Sequence, residues 1–222
     1  MMPGCQPRAR SCSAKARVRG VFPAPPTIRL PTTTTGTGKC RRADQRRRTL
    51  PDLAEECART VAQALRETAT VAHLVAGDRF NLAKATVERT VSVDARVELR
   101  PSPYDTATGR ALLAFCAPQD LRAVVEKHGL PGAAWEGVSS RRGMDAALHE
   151  IRTRGHAEVH RGDVCTFAVP VLDAQGGLIA SVGAVAPAYR HKPADLERTL
   201  QILRDAAAHM ARAMAEGSLQ GW

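Results

Sequence analysis

The chain of 222 residues carries 32 Lys and Arg against 22 Asp and Glu, a formal net charge of +10. Its six cysteines show no C-x-x-C spacing, which favours reduced cytosolic thiols over a disulfide framework or a metal site. No apolar run approaches the roughly 20 residues of a membrane span, and the basic N-terminus lacks the apolar stretch of a secretion signal, so we expect a cytoplasmic protein without metal or cofactor.

The excess positive charge belongs to residues 1–48. This segment holds 12 basic residues and one acidic residue, Asp44, whereas the remainder has 20 basic and 21 acidic residues. It is low in complexity, with a Pro-rich stretch, a Thr run and an Arg-rich end, and we expect it to be disordered. The alternative is that it is not a native N-terminus but results from a misplaced start or a disrupted reading frame.

Regular structure is predicted from Thr49 onward. The sequence Thr49-Leu-Pro-Asp52 is typical of a helix start, and apolar residues spaced by four predict a helix over 51–66. Three β-like segments follow, at 69–77, 80–90 and 93–100.

A loop then leads into a helix after residue 105, and further helices are predicted over 118–128 and 142–154. Two strands are expected between residues 156 and 186, joined at Asp173-Ala-Gln-Gly-Gly177, before a final amphipathic helix over 193–215. Strands joined by hairpins imply an antiparallel sheet flanked by helices, which is an α+β domain.

The segment Tyr104-Asp-Thr-Ala-Thr-Gly-Arg-Ala-Leu-Leu-Ala114 is a candidate ligand site. Asp105, Thr106 or Thr108 can cap the helix that follows, and its free N–H groups and positive dipole end suit a carboxylate. Gly109 would allow a close approach to another backbone. The alternative is an ordinary helix cap with a packing glycine.

The hairpin from Gly162 to Pro187 is a second candidate. Gly183 and Ala184 leave room for a ligand or for a close neighbour, and the alternative is a packed core hairpin. Cys165 could act as a nucleophile, but the sequence offers no argument for a His or acid partner, so a buried or pocket-lining thiol is favoured.

These motifs together resemble the effector-binding domain of IclR-type transcriptional regulators. The matched segments cover about three quarters of the chain, in order. They are Leu53-Ala54, Glu67 to Leu74, Thr106 to Ala114, Leu148 to Gly155 and Asp163 to Ala180.

The resemblance implies a GAF-like fold for residues 49–217, with a pocket against the central sheet for a small organic or aromatic acid. It also implies association as a dimer or tetramer, and an N-terminal winged helix-turn-helix that binds the promoter. Carried over to this chain, the pocket would be lined by Thr106, Ala107, Thr108, Cys165, Gly183 and Val185, with Glu158 as an acidic candidate.

The chain departs from this family at two places. Relatives often carry small hydroxyl residues where Gly183 and Val185 stand, so a bulkier or less polar ligand, or loss of binding, is expected. Residues 1–48 are too short and too irregular for a winged helix-turn-helix, so DNA would be reached through a full-length relative or weakly through the basic tail. A truncated or inactive regulator and a Cys165-dependent enzyme on the same scaffold are the alternatives.

Overall fold

The computed structural model describes residues 48–87 and 102–219. The predicted tail 1–48, apart from Arg48, and the predicted strand 93–100 lie outside these residues. The described part contains five helices longer than one turn and five strands. The helices are α1 Leu50–Leu65, α2 Ala107–Phe115, α3 Pro118–His128, α4 Arg141–Arg154 and α5 Leu196–Leu219.

The strands form one antiparallel sheet in the order β2-β1-β5-β4-β3. Their bounds are β1 Thr68–Val75, β2 Asp78–Ala85, β3 Ala157–Arg161, β4 Val164–Leu172 and β5 Leu178–Pro187. The predicted α+β architecture, an antiparallel sheet flanked by helices, is confirmed.

Local signals explain where α1 begins and which side it buries. Thr49 and Asp52 form a reciprocal capping box, in which the Asp52 carboxylate accepts the Thr49 N–H at 2.8 Å and the Thr49 hydroxyl accepts the Asp52 N–H at 3.4 Å. The apolar stripe of Leu53, Cys57 and Val61 is buried against the sheet.

The sheet is covered on both faces, which separates the core into two clusters. Helices α1 and α5 pack on one face, against side chains such as Phe167 and Val182. Helix α2 packs on the other, against side chains such as Val159 and Ala168, and α4 packs against α2. We call these the α1/α5 face and the α2 face. Because successive residues of a strand point to opposite faces, β1 and β4 contribute apolar side chains to both clusters.

The segment from 156 to 172 was predicted as one strand, and this is wrong. Arg161 pairs with Val164 across a two-residue turn, Gly162-Asp163, so the segment folds back as the β3–β4 hairpin. Gly162 has φ +52°, in the left-handed region that such turns require and that glycine adopts without strain. The other predicted hairpin, between β4 and β5, is present: Asp173 accepts hydrogen bonds from the N–H groups of Gln175 and Gly177.

Helix α5 is the longest described helix, with 24 residues. It carries charged side chains along its exposed side, including the ion pair between Arg204 and Glu197. Among the helices of residues 48–87 and 102–219, none combines the length and apolar character that crossing a membrane requires.

Candidate ligand-binding site

The start of α2 lies against the sheet and has backbone N–H groups without a partner inside the helix. Thr106 is the N-cap, and its hydroxyl accepts the Gly109 N–H at 3.0 Å while its carbonyl accepts the Arg110 N–H at 2.9 Å. The N–H groups of Ala107 and Thr108 have no acceptor within the helix, because they precede its first turn of hydrogen bonds. The positive end of the helix dipole and these donors favour an oxygen of an anionic ligand.

The preceding turn fixes this helix start in place. Gly109 lies so close to Pro103 that a Cβ added to Gly109 would overlap the Pro103 carbonyl oxygen. The Tyr104 hydroxyl donates to the Gly129 carbonyl at 2.8 Å, and Arg110 Nε donates to the Tyr104 carbonyl at 2.9 Å. The close approach predicted for Gly109 is therefore present, and it anchors α2 to the turn before it.

Thr108 joins α2 to the middle of the sheet. The buried Ser181 hydroxyl donates to the Thr108 carbonyl at 2.9 Å. A Cβ placed on Gly183 would lie 2.7 Å from Thr108 Cγ2 and 2.7 Å from the Phe167 carbonyl oxygen. The sequence left open whether Gly183 makes room for a ligand or for a close neighbour. In the structure the Thr108 methyl group is a close neighbour that occupies the space beside Gly183.

Polar side chains lie beside this helix start on the α2 face of the sheet. Val185 pairs with Thr68 of β1 and with Thr166 of β4, while Gly183 pairs with Thr70. Directly opposed residues share a face, so the three threonines lie on the same side as Thr106 and Thr108. Thr70 and Thr166 are half-buried.

Cys165 and Glu158 lie on the other side of the sheet, contrary to the expectation that they share a pocket with Thr106. Cys165 pairs with Ala186, and Glu158 pairs with Phe167, a residue of the α1/α5 cluster. The sheet separates Cys165 from α2, whereas Glu158, on the edge strand β3, lines one cavity with Arg110 of α2. Thr166, which follows Cys165 on β4, lies on the α2 face instead. It was not among the predicted site residues.

Cys165 belongs to a chain of polar contacts along the edge of the sheet. Its sulfur lies 3.1 Å from His160 Nδ1, and the Glu158 carboxylate contacts His160 Nε2 at 3.4 Å and His156 Nε2 at 2.8 Å. The nearby histidine expected of a Cys-dependent enzyme is thus present.

The polar contacts around Cys165 do not activate its thiol. Burial, and then the negative charge of Glu158, raise the pKa of Cys165. Burial also pushes the pKa of Glu158 upward, but the hydrogen bonds from His156 and His160 outweigh it, and the pKa is lowered overall. A thiol with a raised pKa is a poor nucleophile. Within residues 48–87 and 102–219, no group of three or more His, Cys, Asp or Glu is arranged to hold a metal ion.

Two cavities of about 190 Å³ each lie in the described part of the chain, and one of them reaches the first turn of α2 at Arg110. The cavity on the α1/α5 face is lined by Phe167 and His191, whose ring centres lie 4.2 Å apart. The buried His191 Nε2 has no hydrogen-bond partner in the described part of the chain. The other cavity lies at the outer edge of β3, where the Arg110 guanidinium stacks 4.5 Å from the centre of the Trp135 ring. Burial, and then the charge of Arg161, lower the pKa of Arg110 to about 10.

Comparison with known proteins gives a consistent result. Residues 43–212 match the family described as bacterial transcriptional regulator IclR, C-terminal. The chain is 31% identical over 149 residues to the Pca regulon regulatory protein of Pseudomonas putida, an alignment that covers 64% of this chain and 51% of that protein. The chain therefore spans about half the length of the curated relative it matches.

Solved structures share the fold. A transcriptional regulator from Rhodococcus sp. RHA1 is 25% identical with a TM-score of 0.66, and the match covers 76% of this chain and 69% of that one. The inducer-binding domain of the PobR transcription factor from Acinetobacter, a double mutant in complex with 3-hydroxybenzoic acid, is 22% identical with a TM-score of 0.61, covering 73% of this chain and 97% of that one. All three of these proteins are described as regulators and none as an enzyme.

Proposed function

This chain belongs to the IclR family of bacterial transcriptional regulators, and on that premise we propose that residues 49–217 sense a small organic or aromatic acid. The acid would bind on the α2 face of the sheet. The ligand would contact the start of α2 at Thr106, Ala107 and Thr108, and the sheet beside it.

The observation that carries this proposal is the juxtaposition of a helix N-terminus with a polar strip of sheet. The N–H groups of Ala107 and Thr108 offer donors to an oxygen of the ligand, and Thr70 offers a hydroxyl group on the same side. The Thr166 hydroxyl donates to the Val159 carbonyl at 3.1 Å, so toward the ligand it can only accept. Val185, which pairs with Thr166, adds an apolar contact for a ring or alkyl chain. A few convergent polar groups beside apolar surface are what small-molecule sites require.

The ligand named for one solved relative supports an acidic effector. The PobR domain was solved with 3-hydroxybenzoic acid, a ring with one carboxylate. Gly183 and Val185 carry no hydroxyl groups of their own, so the hydroxyl groups beside them are those of Thr70, which can donate to the ligand, and of Thr166, which can only accept from it. We therefore infer an aromatic or similarly apolar acid.

Sensing would be transmitted through association of domains. We expect the domain to associate as a dimer or tetramer, or with a full-length relative, in two alternative arrangements of the subunits. The effector shifts the equilibrium between these arrangements only if it binds one of them more tightly. DNA would be contacted by a winged helix-turn-helix within that assembly, with the basic tail adding weak, non-specific attraction. The free thiols of Cys57, Cys116 and Cys165 fit a cytoplasmic location.

A thermal-shift titration of the full chain tests the proposal. Wild type is compared with Thr106→Ala, against a panel of aromatic and aliphatic carboxylates that includes 3-hydroxybenzoate. Thr49→Ala is the matched control, because it also removes a helix-capping threonine, but from α1. Each substitution alone is expected to cost about 1 kcal/mol of stability.

We expect at least one acid to raise the Tm of wild type, since a ligand at about 100 times its Kd adds about 2.7 kcal/mol to the free energy of unfolding. The rise should persist in Thr49→Ala and shrink in Thr106→Ala. An equal rise in all three proteins would place the ligand elsewhere. No rise with any acid, in a protein that unfolds cooperatively, would support a fragment that no longer senses.

A further inference from the structure

Arg79 on β2 is a buried cation without a matching anion in the described part of the chain. The residue is 6% exposed. One of its terminal nitrogens donates to the Asn81 side-chain carbonyl at 2.6 Å, and its Nε has no hydrogen-bond partner among residues 48–87 and 102–219. The neighbouring carboxylate, Asp78, is engaged by Lys127 and His128 instead.

This arrangement is energetically unfavourable for the ligand-free protein. A guanidinium stays protonated at neutral pH, so Arg79 keeps its charge even though burial lowers its pKa. A buried charge is normally paired with an opposite charge, because desolvation is costly. A neutral amide such as Asn81 satisfies one of the five N–H donors and provides no counter-charge.

The register of the sheet places this cation on the α2 face. Arg79 pairs with Leu74, which packs in the α2 cluster. Asn81 pairs with Ala72, and Ala72 pairs in turn with Ser181, whose hydroxyl binds the carbonyl of Thr108. Neighbouring strands are about 4.8 Å apart, so Asn81 lies roughly 10 Å across the sheet from the strand that α2 contacts.

We propose that Arg79 is the residue that pairs with the carboxylate of the effector, with Asn81 beside it. The inference rests on the proposed function and names the group that selects an acid over a neutral analogue. In this proposal the carboxylate of the ligand ring lies at Arg79, and its other polar group points toward the start of α2. A guanidinium binds a carboxylate through two parallel hydrogen bonds, which the unpartnered Nε and a terminal nitrogen supply.

The test compares an acid with its neutral amide. Binding of 3-hydroxybenzoate and 3-hydroxybenzamide to the full chain is measured by calorimetry for wild type, Arg79→Met and Arg79→Gln. Arg204→Gln is the control, because it removes an arginine from the exposed side of α5. Wild type and Arg204→Gln should bind the acid and discriminate against the amide.

For Arg79→Met we expect a rise of about tenfold or more in the Kd for 3-hydroxybenzoate and loss of the preference over the amide. The Tm of ligand-free Arg79→Met should equal or exceed that of wild type, since the variant no longer buries an unpaired charge. Arg79→Gln should show the same loss of acid binding, which keeps the test decisive if Arg79→Met does not fold.

Two results would overturn the role of Arg79 and leave the proposed function standing. One is an unchanged Kd for the acid in both Arg79 variants while Thr106→Ala still weakens binding. The other is a lower Tm in both ligand-free variants with the preference for acid over amide intact, which would indicate a structural role. If wild type binds neither this probe nor any carboxylate of the panel, the inference and the proposed function both fail.

Discussion

Thr108 lies directly against Gly183, and this contact sets how closely α2 approaches the sheet. The Thr108 methyl group occupies the position next to Gly183 where a side chain would stand, and the Thr108 carbonyl accepts the hydroxyl of Ser181. The start of α2 is therefore held on β5 by one steric contact and one buried hydrogen bond. A ligand bound at the start of α2, as we propose, would meet a backbone that is already fixed.

Gly183→Ala should destabilise the protein by about 1–3 kcal/mol, because overpacking a close contact forces backbone or side chains to move. The added Cβ would lie 2.7 Å from a backbone oxygen, which cannot rotate away. Urea denaturation measures the change. Gly143→Ala on α4 is the matched control, since its Cβ would meet only the Ser140 hydroxyl at 3.3 Å, and it should be neutral or stabilising. Equal stability of both variants would contradict the packing described for Gly183.

The carboxylate of Asp78 should make stability depend on pH in the acid range. Hydrogen bonding from Lys127, at 2.5 Å, and then from His128 holds the pKa of Asp78 below its ordinary value of 3.8, despite an opposing effect of burial. A lowered pKa contributes stability that is present above the unfolded-state value and lost as the pH falls through the folded-state value. The loss should therefore occur below about pH 4.

Thermal unfolding between pH 7 and pH 3 checks this dependence. The Tm of Asp78→Asn should be lower than that of wild type at pH 7. This difference in Tm should disappear as the pH falls below about 4. Asp145→Asn, which removes an exposed ion pair with Arg141 on α4, should lower the Tm at pH 7 by less. A constant difference between Asp78→Asn and wild type over the whole range would mean that ionisation of Asp78 does not stabilise the turn.

Cys165 should be unreactive in the folded protein. Its pKa is raised, and burial raises the pKa of Cys57 to about 12 and that of Cys116 to about 11. Alkylation by iodoacetamide requires the thiolate. At pH 8 we expect these three cysteines to stay unmodified in peptide mass maps, and to be alkylated after unfolding in urea. Rapid alkylation of Cys165 in the folded protein would reopen the question of thiol chemistry at His160.

The elements with strong local signals could be predicted from the sequence. The start Thr49-Leu-Pro-Asp52 and the four-residue spacing of Leu53, Cys57 and Val61 predicted a helix over 51–66, and α1 spans Leu50–Leu65. The Asp173 to Gly177 hairpin was predicted in the same way, from turn chemistry within five residues. These signals are local, so tertiary packing reinforces them and does not have to create them.

The face to which Cys165 points could not be predicted. Strand β4 is covered on both sides, so its sequence Val-Cys-Thr-Phe-Ala-Val-Pro-Val-Leu has no alternation of apolar and polar residues to reveal its orientation. A shift of one residue exchanges Cys165 for Thr166 on the α2 face. The position of Arg79 depends on the pairing of β2 with β1 and of β1 with β5, a long-range register that no local pattern contains.

Amide chemical shifts in a titration with 3-hydroxybenzoate test most directly whether the ligand binds at the start of α2. Spectra of the ¹⁵N-labelled full chain should change most at Ala107 and Thr108, and next at Thr70 and Thr166, with the amides along the α1/α5 face nearly unaffected. The largest changes around His191, or around Trp135 at the edge of β3, would place the ligand in one of the two cavities described there and contradict the proposed site.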